Sequence, residues 1–184
     1  MRLSDRFLWL LVSIALFGVI VFTVVFQGME AQLRAAGGTA GVVALELAFT
    51  PARTLDIIGA WPADGIAVAQ RALWLDFAYI VLYASGLAAA CTLIARHGQG
   101  SWARWGRRLI LFPVLAGILD VIENVNLLIV LNRVTSAGTA ATLTPFTSFA
   151  AICAALKFAL IAVTLLFVMA YGIRWLWMRL RRTA

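Results

Sequence analysis

The sequence predicts an all-α, integral membrane four-helix bundle with both termini in the cytoplasm. Hydrophobic residues make up 64% of the chain and charged residues 12%, whereas a soluble domain is about half apolar and a quarter charged. Four apolar stretches are each long enough to cross a bilayer as a helix, which takes about 20 residues. They cover about 7–26, 72–95, 109–132 and 147–173, so residues 1–184 are expected to form a single membrane domain.

The first span, 7–26, contains no charged residue. Two arginines precede it, as in a signal peptide, but the run is longer than the about 7–15 apolar residues of a signal-peptide core. We therefore expect a retained first span. Its helix is predicted to continue to Arg34 and to end at Gly37-Gly38, because glycine is a typical stop signal for a helix.

Short amphipathic helices are predicted on the outer face, in the segment 38–71 between the first two spans. Residues 39–49 are apolar apart from Glu46, which favours a short helix. Thr50 and Pro51 then supply an N-cap and a proline at the first position of the next helix. Such half-apolar helices lie in the membrane interface or cover the bundle as a lid, and both alternatives remain open.

The other three spans carry their own start signals. Pro62 and Asp64 predict that the helix of the second span begins well before the membrane. Pro113 lies in the first turns of the third span, where proline is tolerated. Thr144 and Pro145 introduce the fourth span.

Arginine, which accounts for all but one of the 15 basic residues, predicts the orientation. Ten arginines lie before the first span, in the loop 96–108 or after the fourth span, and four lie in the loops 27–71 and 133–146. Since basic residues are enriched on the cytoplasmic side, both termini and the loop 96–108 are expected there. These basic segments would contact anionic lipid head groups, which explains the high isoelectric point without nucleic acid as a partner.

A polar run in the third span is the main indication of function. Asp120, Glu123 and Asn124 lie within one arc of about 100° on an α-helix. Asp120 is roughly 16 Å from the inner end of the span by the helical rise of about 1.5 Å per residue. Ionisable groups at such depth cost about 2.5–3.5 kcal/mol each, so these side chains are expected to face a partner or a water-filled cavity.

Two other spans carry polar side chains at overlapping depths. The second span has an aspartate and two tyrosines within about 60° of each other, and the fourth span has the only lysine. If these stripes converge, the bundle interior holds a ligand-binding or ion-binding site made of Asp76, Tyr79, Tyr83, Asp120, Glu123, Asn124 and Lys157. Arg53 and Arg71 would form a gate at its outer rim.

The charge balance of this predicted site leaves several alternatives open. Three acids and one lysine give an excess of negative charge, which is unstable in a low dielectric unless acids hold protons, a cation is bound or an arginine reaches in. We expect binding or passage of a small ligand, cation or proton, with Asp120 and Glu123 carrying the charge or the proton. Because four spans are few for a transporter, a homodimer is expected if passage is the task.

Two other functions fit the same residues. An intramembrane enzyme acting on a lipid or isoprenoid would use the Asp/Glu pair as acid–base groups, and it would need a cavity that opens sideways to lipid and accepts an acyl chain. A structural or accessory membrane subunit would use the polar residues to fix helix packing, through interhelical hydrogen bonds and a Lys157 ion pair.

No cofactor and no metal site is expected. Cys91 and Cys153 lie inside apolar spans without the spacing of metal ligands, and His97 is the only histidine. Bis-histidine haem and histidine-cluster zinc or iron sites are therefore excluded within one chain.

Several short motifs lie between Leu47 and Leu128. They are Thr50-Pro51-Ala52-Arg53, Trp61, Leu75-Asp76-Phe77, Leu82-Tyr83-Ala84, and Leu119-Asp120 with Glu123-Asn124. This part of the chain, under half of its length, resembles a loose group of small four-span proteins of the bacterial inner membrane. The resemblance implies a multi-pass protein at that location, and it implies no particular activity.

Overall fold

A computed structural model describes residues 3–35, 40–136 and 140–183 as helices joined by short connections. The helices in these ranges are α1 (Asp5–Arg34), α2 (Val42–Glu46), α3 (Pro51–Gly59), α4 (Gly65–His97), α5 (Ser101–Leu109), α6 (Leu111–Thr135) and α7 (Ala140–Thr183). The described residues include no strand. Four stretches are long and apolar enough to cross a membrane, namely α1, α4, α5 with α6, and α7. The predicted all-α class with four membrane-length helices is thus confirmed, and the orientation stays a prediction.

Capping side chains fix the starts of two helices. Ser4 Oγ accepts a hydrogen bond of 3.2 Å from a backbone N–H in the first turn of α1. Thr50 Oγ1 accepts one of 3.3 Å in α3, which opens with Pro51, the arrangement that an N-cap and a first-turn proline favour. The predicted stop of the first helix at Gly37-Gly38 lies outside the described residues.

The connection between α4 and α6 differs from the prediction. The segment 96–108, expected to be a loop, contains most of α5. Gly106 and Leu109 of this helix are buried, while its arginines are exposed. The arginines indicated only a cytoplasmic flank, whereas the spacing of the buried residues on one face makes the segment an amphipathic helix.

The fourth long helix also starts earlier than predicted. α7 begins at Ala140, so Pro145 lies inside the helix rather than introducing it. Proline is tolerated there because it removes a single backbone hydrogen bond close to the helix start. With 44 residues, α7 is roughly 66 Å long by the helical rise, and it therefore extends beyond a hydrocarbon core of about 30 Å.

The four long helices pack in chain order and leave one side of the bundle open. α1 packs on α4, α4 on α6 and α6 on α7. α1 and α7 would have to meet to close the ring, but they share at most a marginal contact. The gap between α1 and α7 therefore reaches the outer surface of the bundle.

Small side chains hold α1 against α4. Gly86 lies opposite Ala15, where an added Cβ atom would overlap the alanine methyl group. A Cβ atom at Gly18 would come within 2.7 Å of Leu82 Cδ1. Small residues let membrane helices approach closely, and close approach is what van der Waals packing between them requires. α1 is thus a fixed wall beside the gap.

The larger hydrophobic core lies at the end of the bundle that carries α2 and α3. Its fully buried side chains include Leu33, Leu73 and Leu131, which belong to α1, α4 and α6. Trp61, just after α3, packs in this core and donates from Nε1 to the carbonyl oxygen of Ala40 at 2.9 Å. Near α5, by contrast, the described residues form a small buried cluster between α1 and α4. α2 and α3 therefore close one end of the bundle.

Candidate functional site

The only lysine of the chain lies inside the bundle, between carboxylates of α2 and α6. Lys157 Nζ on α7 is 2.6 Å from Asp120 Oδ1 and 2.8 Å from Glu123 Oε2. It is also 3.5 Å from Glu46 Oε2. All four side chains, which we call the Lys157 cluster, are buried. The lysine donates one hydrogen bond, to Asp120, and its contacts with the other two carboxylates are ion pairs.

Two hydrogen bonds connect this region to α4. Tyr83 Oη donates to Asp120 Oδ2 at 2.8 Å, so both oxygens of Asp120 have a partner. Asn124 Nδ2 donates to Asp76 Oδ2 at 2.7 Å. Within the described residues, Asp76 has no second hydrogen bond and no ion pair. One carboxylate of the region is therefore less constrained than the others.

Helical spacing and small residues bring these side chains together. Asp120, Glu123 and Asn124 follow one another at i, i+3 and i+4, so they share one face of α6. One turn earlier, Ala116 and Gly117 are buried, and a Cβ atom at Gly117 would lie 3.2 Å from Ile80 Cγ2 on α4. α4 therefore approaches α6 closely enough for its tyrosine and aspartate to reach the polar face.

Three oxygens of this region are buried without a hydrogen bond. Glu123 Oε1 and Asn124 Oδ1 have no partner among the described residues, and Glu123 Oε2 has only its ion-pair contact with Lys157. Buried polar atoms in folded proteins nearly always have a hydrogen-bond partner. The region therefore has more hydrogen-bond acceptors than donors.

Negative charge is also in excess. Four carboxyl groups, those of Glu46, Asp76, Asp120 and Glu123, face one ammonium group, and they are half of the eight acidic residues of the chain. An uncompensated buried charge is strongly unfavourable, so the excess requires protons or a bound cation. Burial raises the pKa of Glu46 on the short helix α2, although the nearby lysine ammonium acts in the opposite direction.

Glu46 is a residue of this site that the sequence prediction did not include. The sequence feature that could have indicated it is that Glu46 is the single acid in the apolar stretch 39–49. That pattern predicts a helix but does not show that α2 folds over α7, because tertiary packing sets this contact. Glu30 Oε1 of α1 accepts a hydrogen bond of 2.6 Å from the N–H of Val42, and this bond ties the start of α2 to α1.

The structure brings six of the seven predicted site residues into polar contact. They are Asp76, Tyr83, Asp120, Glu123, Asn124 and Lys157. Tyr79 joins them through its ring, whose centroid is 5.6 Å from that of Tyr83. The stripes on the second, third and fourth spans thus meet, while a role in binding stays a prediction.

The two arginines predicted as an outer gate are not brought to this region. Arg53 on α3 is exposed. Arg71 on α4 is also exposed, and its Nε donates to the carbonyl oxygen of Ala67 in the same helix at 3.4 Å. The alternative in which one of them reaches in to balance the acids is therefore not supported.

A cavity of about 640 Å³ lies beside the Lys157 cluster, in the gap between α1 and α7. Its walls come mainly from α1, α2, α4 and α7 and are largely apolar. Leu16 of α1 and Leu165 of α7 line it and are 62% and 43% exposed. The cavity therefore opens on the outer surface of the bundle, which in a membrane faces lipid.

Polar groups line one part of this cavity. They include Asp76 and Tyr83 of α4, Asp120 of α6 and Lys157 of α7. Glu123 does not line the cavity. A molecule in the cavity would thus meet the ion pair and the less constrained carboxylate, while Glu123 stays out of its reach.

Four aromatic rings form a continuous row along the same wall. The centroids are 5.8 Å apart for Phe22 and Phe26, 5.6 Å for Phe26 and Tyr79, and 5.6 Å for Tyr79 and Tyr83. The last three of these rings line the cavity. Asp76 is one helical turn before Tyr79 on α4, so its carboxylate and the rings belong to one surface.

The described His, Cys, Asp and Glu side chains form no metal site. In the part of the chain that the structure describes, no group of three or more His, Cys, Asp or Glu side chains is suited to hold a metal ion. Cys91 and Cys153 are buried free thiols, and His97 Nε2 is 2.9 Å from Asp5 Oδ2.

Fold and site together indicate a small multi-pass helical membrane protein with a buried ionic cluster beside a cavity. The chain matches no protein-family model, and the comparisons with curated proteins and with solved structures found no match. Function therefore has to be inferred from the geometry of the site itself.

Proposed function

We propose that the protein binds a small amphiphilic molecule that enters its cavity from the lipid. The apolar part of the ligand would occupy the gap between α1 and α7, and its polar head would face Asp76, Tyr83 and Asp120. One observation carries the proposal: a largely apolar cavity of about 640 Å³ has this polar group of side chains in its wall. Pockets that bind small molecules have volumes of about 300–1,000 Å³ and a few well-placed polar groups among apolar walls.

Access from the lipid follows from the packing of the long helices. α1 and α7 do not close the ring, and Leu16 and Leu165 at the rim are exposed. Apolar side chains at such a rim suit a bilayer, where a hydrocarbon chain can move between the helices without entering water.

Binding is better supported than passage of a metal cation. A conducted cation would interact with the acids, but Lys157 Nζ already lies within 2.8 Å of Asp120 and Glu123. The ammonium group occupies the position in the cluster that a metal cation would otherwise take. A ligand beside the cluster does not have to displace it.

An enzyme acting on a lipid or isoprenoid would use the same kind of cavity. Neither member of its proposed acid–base pair, however, both lines the cavity and has a free oxygen. Both oxygens of Asp120 are held, by Lys157 and Tyr83, and Glu123 does not line the cavity. We therefore prefer a binding protein to an enzyme.

We place the protein in the inner membrane of a bacterium, with both termini in the cytoplasm and α2 and α3 on the outer face. The ten arginines of the termini and of the segment 96–108 support this orientation, because basic residues are enriched on the cytoplasmic side. Anionic lipid head groups would contact these segments. A homodimer remains an expectation only if the ligand is passed across the membrane.

The proposal is tested by binding of tritiated dodecanol and dodecylamine to the purified protein in maltoside micelles. We expect saturable binding of at least one of them. Ile161→Trp, on the cavity wall, should weaken it by about tenfold or more because the indole fills the space of the tail. Val163→Trp makes a comparable change on the same helix at an exposed position and should bind like the wild type. Absence of saturable binding of both probes, or full binding by Ile161→Trp, contradicts the proposal.

A further inference from the structure

We propose that the polar head recognised by this site is a protonated amine, so that the ligand class is that of long-chain or polycyclic amines. This inference rests on the proposed function and adds the charge and the donor character of the head group. Four observations support it: an occupied lysine, an available carboxylate, unpaired acceptors and a row of aromatic rings.

The occupied lysine argues against an anionic head group. Among the described residues, Lys157 is the one basic side chain that lines the cavity. Its ammonium group is 2.6 Å from Asp120 and 2.8 Å from Glu123, with Glu46 at 3.5 Å. A fatty acid or phosphate head would have to compete with these carboxylates for the same donors, and it would add negative charge where negative charge is already in excess.

The available carboxylate belongs to Asp76. It lines the cavity, and it is the least buried of the four acids of the region. Asn124 holds one of its oxygens at 2.7 Å, and the described residues supply no further donor. Hydrogen bonds between an ammonium donor and a carboxylate are about twice as strong as neutral ones, so this oxygen favours a charged donor over a hydroxyl group.

The unpaired acceptors are a separate indication that the head group is positively charged. Glu123 Oε1 and Asn124 Oδ1 are buried without a donor among the described residues, and both side chains are 0% exposed. Every buried polar side-chain atom without a partner in this region is an acceptor. Neither side chain lines the cavity, so these oxygens do not contact a ligand there. They add to the negative potential behind its polar wall, which favours a positively charged head group over an anionic one.

The aromatic row provides a matching surface for a cation. Phe26, Tyr79 and Tyr83 line the cavity, with neighbouring centroids 5.6 Å apart. The negative face of an aromatic ring attracts ammonium groups within about 6 Å of its centroid. An amine held by Asp76, one turn before Tyr79 on α4, would lie beside these rings, and its hydrocarbon part would continue into the apolar gap.

The test compares probes that share a tail and differ in the head: dodecylamine, dodecanol and dodecanoate, each in tritiated form with the protein in uncharged maltoside micelles at neutral pH. We expect dodecylamine to bind about tenfold or more tightly than dodecanol, and dodecanoate to bind more weakly than both. Asp76→Asn should remove the preference for the amine and retain binding of the alcohol. Asp56→Asn, the same change at an exposed aspartate of α3, should leave the preference unchanged.

The outcomes separate this inference from the proposed function. Equal binding of dodecylamine and dodecanol, or tighter binding of dodecanoate, overturns the amine head group while amphiphile binding stands. An amine preference that persists in Asp76→Asn also overturns it. Failure of both dodecylamine and dodecanol to bind saturably overturns the proposed function itself.

A second variant keeps the test decisive if Asp76→Asn does not fold. Tyr79→Leu removes an aromatic ring from the wall and leaves every hydrogen bond of the Lys157 cluster in place. It should weaken binding of dodecylamine by about two- to fivefold and leave dodecanol unaffected. An equal loss for both probes would show that the ring only shapes the cavity, which contradicts its role in recognising a cation.

Discussion

Two ionic clusters of the described residues have similar distances and opposite surroundings. In the Lys157 cluster, the ammonium group lies 2.6 Å from Asp120, and the partner side chains are 5% and 4% exposed. The second cluster lies where the start of α1 meets the end of α4. There Arg96 Nη1 lies 2.6 Å from Asp5 Oδ1, and the two side chains are 31% and 44% exposed. His97 approaches the second Asp5 oxygen at 2.9 Å.

The difference shows that distance alone does not identify a functional ionic site. Water and salt screen the exposed cluster, and pairs of this kind typically contribute 0 to about 1 kcal/mol to stability. The buried cluster lacks this screening and has an excess of acids. A balanced buried pair would suffice for packing, so the imbalance is what points to a proton or a ligand as the missing component.

Removing the lysine should have the largest effect. Lys157→Met keeps an unbranched side chain but leaves Asp120, Glu123 and Glu46 without their cation. Loss of one partner of a buried ion pair costs about 3–5 kcal/mol, so we expect a strongly lowered midpoint of thermal unfolding in maltoside micelles. Arg71→Met, a change of basic residue to methionine at an exposed position, should change the midpoint little.

A compensating variant distinguishes charge from shape in this experiment. Adding Asp120→Asn and Glu123→Gln to Lys157→Met removes two of the unpaired charges without changing side-chain size. A large part of the lost stability should then return. If the triple variant is as unstable as Lys157→Met alone, the lysine acts by packing, and the contrast between the two ionic clusters no longer rests on charge.

The sequence allowed the long helices and most of the buried polar site to be predicted. Apolar length is sufficient to define the spans, since a bilayer fixes how many residues a helix needs. The fixed rise and rotation of a helix then gave the depth and direction of Asp120, Glu123 and Asn124. The depth of Lys157 followed in the same way, and the structure brings these residues into contact.

The rest depended on tertiary packing. Helical periodicity shows which face of a span is polar, but it does not show which pair of helices stays apart, so the gap between α1 and α7 was not predicted. The position of Glu46 over Lys157 depends on how α2 folds back, which a short apolar stretch does not specify. Arg53 and Arg71 were predicted as a gate at the outer rim, and in one alternative one of them reached in to balance the acids. Both remain exposed, where an arginine side chain keeps its hydration.

Removing Glu46 should have an intermediate effect, visible as a change in pH dependence. Burial raises the pKa of this carboxyl group, so the folded protein binds the proton more tightly than the unfolded chain does. The corresponding stability is complete below the unfolded value of about 4.3 and is lost as the pH rises through the raised folded-state pKa. Glu46→Gln stays neutral, so its unfolding midpoint should fall less than that of the wild type as the pH rises.

The pH series needs a control for the other acids of the protein. Asp56→Asn removes an exposed carboxyl group and should follow the wild-type midpoint at each pH. An unchanged pH dependence in Glu46→Gln would mean that Glu46 is ionised and balanced by Lys157 in the folded protein. The excess of negative charge would then lie with Asp76, Asp120 and Glu123.

Removing Asp5 should have the smallest effect, although it breaks contacts as short as those of the Lys157 cluster. Asp5→Asn abolishes the ion pair with Arg96, but water solvates the freed guanidinium group, and added salt screens what remains of the interaction. We expect an unfolding midpoint close to that of the wild type at low salt and equal to it at high salt. A large loss that persists at high salt would mean that Asp5 fixes α1 against α4. In that case the exposed cluster would stabilise the packing of α1 on α4 despite its exposure to water. The width of the gap between α1 and α7 would then depend on it.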